Sequence, residues 1–157
     1  MKTHKYMNTM KKYLLLVVTL LFGVMAGYAQ DKYSINRNDL PEAAQKFLTD
    51  YFPKAKVGMV KTDRHLLKKT DYDVKLVNGT KIEFNNAGKW TSVDCKTREV
   101  PEGIIPKSIR TYVKKNFPDV KIVKIEKSST KYEVELSDDV ELTFNLLGQF
   151  KSMKMDD

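Results

Sequence analysis

The chain has 157 residues, with 28 Lys and Arg against 20 Asp and Glu, for a formal net charge of +8. Four Lys and no acid fall in the first 29 positions, so the remainder carries only +4. That remainder is the size of one domain, its modest charge argues against a nucleic-acid partner, and a lone cysteine, Cys95, excludes an intrachain disulfide.

Residues 1–29 read as a signal peptide. Lys2, Lys5, Lys11 and Lys12 form a basic leader, and Leu14 to Met25 an apolar run without charge. Gly27-Tyr28-Ala29 then places small residues where a signal peptidase cuts, before Gln30. A retained anchor is the competing reading, because the uncharged stretch from Tyr13 to Gln30 is 18 residues long, close to the ~17 that span a bilayer. The expectation is cleavage, a periplasmic or secreted chain, and no stable membrane insertion afterwards.

Residues 30–39 form a polar lead-in, with Tyr33 and Ile35 as docking residues. A first repeat is expected over 40–95. Asn38-Asp39-Leu40-Pro41 reads as a helix start, with Asp39 as the capping side chain. Ala43, Ala44, Phe47, Leu48, Tyr51 and Phe52 recur at helical spacing, and Pro53 stops the helix. Val57 to Thr62 reads as a strand, and 63–70 as a basic connection or a continuation into a long hairpin. Tyr72 to Val77 and Thr80 to Asn85 alternate apolar and polar residues about Asn78-Gly79, a hairpin signal that predicts a type I′ turn. Asn86-Ala87-Gly88 is a second turn, and Lys89 to Cys95 a fourth strand. Cys95 continues the alternation from Val93 and reads as a small buried hydrophobe.

Residues 96–104 are a polar linker, after which the plan recurs over 105–157. Ile105-Pro106 mirrors Leu40-Pro41, the stripe Ile109, Tyr112, Val113, Phe117 mirrors the first helix, and Phe117-Pro118 mirrors Phe52-Pro53, all at an offset of 65. Val120 to Glu126 is a strand. From Tyr132 the offset drops to 60, pairing Tyr72, Val74, Leu76, Ile82, Phe84, Gly88 and Trp90 with Tyr132, Val134, Leu136, Leu142, Phe144, Gly148 and Phe150. The first copy therefore carries five extra residues between Val60 and Tyr72, in the segment holding Arg64, His65, Lys68 and Lys69. The expected fold is α+β: two tandem α-β-β-β-β repeats sharing one antiparallel sheet, with both helices on one face.

Catalysis finds little support. Once the leader is removed, His65 is the sole histidine, and it sits in a Lys-rich connection. Nucleophilic catalysis needs a base held beside the nucleophile, and one His and one Cys cannot complete a zinc shell. No enzyme activity, cofactor or metal is expected. Asn78-Gly79-Thr80 matches the glycosylation pattern, but a turn explains it as well. If Tyr72, Val74, Leu76, Ile82 and Phe84 face the helices, then Asp73, Lys75, Lys81 and Glu83 face outward, as do Glu133, Glu135 and Glu141 of the second copy. These residues, with Arg64, His65, Lys68 and Lys69 of the extra segment and the aromatic Trp90, are the candidate partner-binding set. The bland alternative is an ordinary solvated face.

The paired Leu40-Pro41…Phe52-Pro53 and Ile105-Pro106…Phe117-Pro118 helices resemble those of the PepSY-like, β-lactamase-inhibitor-like exported proteins of Bacteroidetes-type bacteria. So do the Tyr-x-Val-x-Leu…Ile/Leu-x-Phe-Asn…Gly-x-aromatic hairpins. The resemblance covers about residues 35–157 and rests on fold-making positions. It implies tandem α-β4 repeats, export, no cofactor, and protein binding or enzyme inhibition. The expected function is a non-enzymatic binding module, hydrolase-inhibitor-like, with an unknown protein partner in the cell envelope, acting as a monomer or weak oligomer. The alternative is a periplasmic small-ligand or glycan-binding protein using Trp90 and Tyr33.

Overall fold

The computed structural model describes residues 31–63 and 71–155. Expectations for the leader, and for Arg64, His65, Lys68 and Lys69, concern positions outside the described residues. The elements run β1 (Lys32–Ser34), α1 (Glu42–Tyr51), β2 (Val57–Asp63), β3 (Asp71–Leu76), β4 (Lys81–Phe84), β5 (Trp90–Asp94), α2 (Lys107–Asn116), β6 (Ile122–Lys127), β7 (Lys131–Leu136), β8 (Val140–Asn145) and β9 (Phe150–Met155). Short 3-10 turns at Arg37–Asp39 and Glu102–Ile104 precede the two helices.

All nine strands join one antiparallel sheet in chain order, β1 through β9. The fold is α+β. Its register sets a single apolar row across the sheet: Val60 pairs with Val74, Val74 with Ile82, Ile82 with Val93, Val93 with Ile125, Ile125 with Val134, and Val134 with Leu142. Every member of that row is at most 1 % exposed. Because side chains alternate faces along a strand, the residues two positions along lie on the same side, among them Phe84 and Phe144.

Both helices pack on that side. Phe47 of α1 meets Phe84 edge-on with ring centroids 5.5 Å apart, and Tyr112 of α2 meets Phe144 edge-on at 5.4 Å. Ala44, Phe47 and Leu48, then Ile109 and Val113, are the buried helical positions, the three- and four-residue spacing of one apolar face. Burying Phe84 and Phe144 completely contributes roughly 2–3 kcal/mol each, so neither helix can lift away cheaply.

Two local expectations are corrected. Asp39 does not cap α1: it lies in the 3-10 turn, and α1 begins after Pro41 with no side-chain cap. Pro41 has no N–H to satisfy and already sits at φ −55°, which makes a cap less necessary. The Asn78-Gly79 turn is not type I′, because only Gly79 has positive φ. Gly79 N–H donates to Leu76 O at 2.9 Å and Leu76 N–H to Thr80 O at 2.8 Å, the three-residue loop in which a type I turn ends on a left-handed residue. The 96–104 segment is held against the sheet. Val100 is buried and its N–H donates to Ile122 O, while Arg98 donates to Asn78 O and Thr80 Oγ1, tying the segment to the β3–β4 turn.

The turns after β4 and β8 repeat that geometry and seat the helices. Gly88 and Gly148 both have positive φ. A Cβ on Gly88 would lie 2.9 Å from Ala44 N and from Pro41 Cβ, and one on Gly148 would lie 1.9 Å from Ser108 Oγ. Each glycine thus allows both the turn and the approach of a helix start.

Candidate functional site

The opposite face of the sheet is built by the residues between the core positions. One row reads Lys61, Asp73, Glu83, Ser92, Glu126, Glu133 and Thr143 from β2 to β8, each opposite the next. A second row reads Lys75, Lys81, Asp94, Lys124, Glu135, Glu141 and Lys154. Asp63 stands opposite Asp71 in a further rung.

Like charges therefore face each other at Asp63 and Asp71, Asp73 and Glu83, Lys75 and Lys81, Glu126 and Glu133, and Glu135 and Glu141. Directly opposed like charges destabilise a sheet by tenths of a kcal/mol each, up to about 1 kcal/mol. Lysines partly offset this. Lys61 bonds Asp63 at 2.8 Å and Asp31 at 3.2 Å, Lys124 lies 2.8 Å from Glu126, Lys131 bonds Glu133, and Lys154 is 3.8 Å from Glu141.

The pattern shows in the ionisation of its members. Burial raises the pKa of Asp73, with Lys61 pulling the other way. Burial also raises that of Glu83, helped by the negative charges of Asp73 and Glu126. Asp94 behaves differently: partial burial pushes it up, but the side-chain and backbone hydrogen bonds from Lys96 outweigh that and leave it lowered. Lys61 is raised by its bonds to Asp63 and Asp31.

Of the sequence-predicted residues, Asp73, Lys75, Lys81, Glu83, Glu133, Glu135 and Glu141 lie on this one face. Trp90 does not join them. It is half-buried against the core, its ring centroid 6.4 Å from that of Phe47. Three surface clefts of about 430, 540 and 710 Å³ border the helix layer, and Trp90 lines none of them. Tyr33 is exposed on β1, opposite Lys61.

Sequence reasoning missed Asp94, Lys124, Glu126 and Lys61, which bridge the two hairpins across the middle and one end of the face. Their signal was the same alternation: Lys124 and Glu126 flank Ile125, and Asp94 follows Val93.

Neither histidine, His4 nor His65, is among the described residues, and no group of three metal-ligating side chains occurs among them. Cys95 is buried, and burial raises its thiol pKa. No described helix is long and apolar enough to cross a membrane. The arrangement offers a wide charged surface and no assembled reaction centre among the described residues.

Comparison with known proteins agrees with this architecture. Residues 70–152 match the family described as "Putative beta-lactamase-inhibitor-like, PepSY-like". A periplasmic protein of unknown function from Bacteroides vulgatus superposes with a TM-score of 0.76 at 37 % identity, over 80 % of this chain and 99 % of that one. A "putative calcium-regulated periplasmic protein" of Bacteroides thetaiotaomicron gives 0.75 at 40 %, over 79 % and 96 %. A second B. vulgatus periplasmic protein gives 0.75 at 39 %, over 82 % and 99 %. No curated protein matches the chain. These relatives place the chain in the periplasm or outside the cell, and it belongs to the PepSY-like, β-lactamase-inhibitor-like family.

Proposed function

We propose that the chain is an exported, non-enzymatic module that binds a protein partner in the cell envelope through the open face of its sheet, as a hydrolase inhibitor would. The observation that carries this reading is the set of five like-charged pairs on that face, which neighbouring lysines offset only in part. A face selected only for solubility has no reason to set Asp73 against Glu83 and Glu135 against Glu141, whereas a complementary partner relieves such pairs on docking.

The tandem reading of the chain supports the assignment. Residues at an offset of 60 keep their apolar character, as in Val74 and Val134 or Phe84 and Phe144, while the outward ones change: Lys75 becomes Glu135 and Lys81 becomes Glu141. The half of the face built by β3 and β4 is thereby mixed in charge and the half built by β7 and β8 acidic. A partner with a basic patch over β6–β8 fits this asymmetry. Arg64, His65, Lys68 and Lys69 of the 61–71 segment follow Lys61 in the sequence and belong to the same proposed partner-binding set.

The test is affinity capture from the native cell envelope at low and moderate salt, comparing the wild-type chain with the charge-reversed variant E133K/E135K/E141K. A partner held through the face is captured by the wild type, weakens with salt, and is lost in the variant. Equal capture by both chains removes the face from the account.

A further inference from the structure

The turns after β4 and β8 share one geometry and carry different tips. Asn85 Oδ1 accepts from Ala87 N–H at 3.0 Å and from Lys89 N–H at 3.1 Å. Asn145 Oδ1 accepts from Leu147 N–H at 3.1 Å and from Gln149 N–H at 2.9 Å. The exposed tip is Asn86-Ala87 in the first turn and Leu146-Leu147 in the second, where Leu147 is 76 % exposed. The first turn closes on Asn-Ala, so this geometry gives no reason to hold two leucines in water.

The helices beside these tips differ in charge. α1 carries Glu42, Lys46 and Asp50, whereas α2 carries Lys107, Arg110, Lys114 and Lys115 and no acid. Ser108 Oγ of α2 donates to Leu147 O at 3.3 Å, which fixes the leucine tip beside the helix start. Lys107 and Lys115 border the same 710 Å³ cleft as Gly148 and Phe150. Arg110 is paired with Glu102 at 2.8 Å, but Lys107, Lys114 and Lys115 are exposed and form no ion pair with another described residue. On the far side of the sheet stand Glu133, Glu135 and Glu141. This half of the molecule is therefore basic on its helix side and acidic on its open face.

We infer that the Leu146-Leu147 tip and the basic flank of α2 dock on a bilayer surface bearing anionic phospholipid headgroups. The leucines enter the boundary between headgroups and acyl chains, and Lys107, Lys114 and Lys115 meet the lipid phosphates. The composition selects lipid over a protein partner. Leucine is under-represented among protein hot spots, and lysine is depleted at protein interfaces. A projecting turn would need a matching pocket on a protein, whereas a bilayer needs none. Its hydrogen bonds hold the tip before docking, so little is left to be ordered on contact. The charge polarity turns the helix side toward an anionic surface and the open face away from it.

The test is co-sedimentation of the exported chain, purified from the envelope, with phosphatidylcholine vesicles that are about one-third phosphatidylglycerol. Vesicles of phosphatidylcholine alone are the comparison. Binding should require the anionic lipid and weaken as salt rises. L146N/L147A, which installs the tip of the first turn, should bind about tenfold more weakly or worse with an unchanged circular dichroism spectrum. K107Q/K115Q should also lose about tenfold or more. The E133K/E135K/E141K variant should bind vesicles at least as well as the wild type, which separates this inference from the docking face. No binding to the anionic vesicles, equal binding to both kinds, or either tip or lysine variant binding like the wild type overturns the inference. So does L146N/L147A losing a captured protein while the wild type ignores vesicles, which would give the tip to a protein.

Discussion

Asp73 on β3 stands directly opposite Glu83 on β4, two carboxylates sharing one rung of the open face. Burial raises both pKa values, and for Glu83 the charge of Asp73 adds to it. A carboxyl raised in the folded state takes up its proton more readily there than in the unfolded chain. Its contribution to stability is therefore present below the unfolded pKa and lost as pH rises through the folded pKa. At neutral pH the ionised pair opposes folding. The variant D73N/E83Q should then be more stable than the wild type at pH 7, by about 0.5 kcal/mol for a largely solvent-screened pair. The gain should fade toward about pH 3, where carboxylates are protonated in both states. Urea titrations at the two pH values measure it. A variant less stable at pH 7 would contradict the reading of this pair as unfavourable.

Asp94 has the opposite sign. Its pKa is lowered despite partial burial, because Lys96 bonds it through both side chain and backbone N–H. Its contribution is present above the unfolded pKa and lost as pH falls through the folded one. D94N should flatten the acid side of the stability profile, and urea titrations from pH 7 down to about pH 3 check it. An unchanged profile would remove Asp94 from the acid response.

Gly148 and Gly79 both have positive φ, but only one is crowded. G79A should cost about 1 kcal/mol, the strain of a left-handed alanine, since nothing lies within 4 Å of its Cβ position. G148A adds a collision with Ser108 at the start of α2 and should cost roughly 3 kcal/mol. Thermal or chemical melts of the pair check the difference. Equal losses would mean that α2 yields at Ser108 without cost.

The lone cysteine should be inert in the native chain. Cys95 is 2 % exposed and its thiol is kept protonated by burial, and the thiolate is the reactive form. An alkylating reagent should modify it only in denaturant, as intact mass spectrometry reads directly. Rapid native labelling would show that the end of β5 opens.

Much of the fold was legible because alternation and helical spacing report burial faithfully. The alternation through Tyr72, Val74, Leu76 and Ile82, Phe84 gave the two faces of β3 and β4, and the Phe-Pro pairs ended both helices where α1 and α2 end. What escaped depended on pairing between distant segments. Lys32–Ser34 is a strand only because β2 offers it an edge, and Val100 is fixed by Ile122. The like-charged rungs escaped for the same reason. Whether Glu126 meets Glu133 depends on the register of β6 on β7, which includes an irregularity between Ile122 and Lys124, and no local pattern encodes it. Trp90 showed the limit in the other direction, since an aromatic after a turn can serve as rim or as core, and the core reading is settled only when Phe47 is seen against it.

The measurement closest to the central claim is capture of envelope proteins by the wild-type chain and by E133K/E135K/E141K, at low and at moderate salt. The account predicts a protein held by the wild type at low salt, weakened at moderate salt, and absent from the folded variant. Empty captures by the wild type at both salts, or the same protein held equally by both chains, would contradict it.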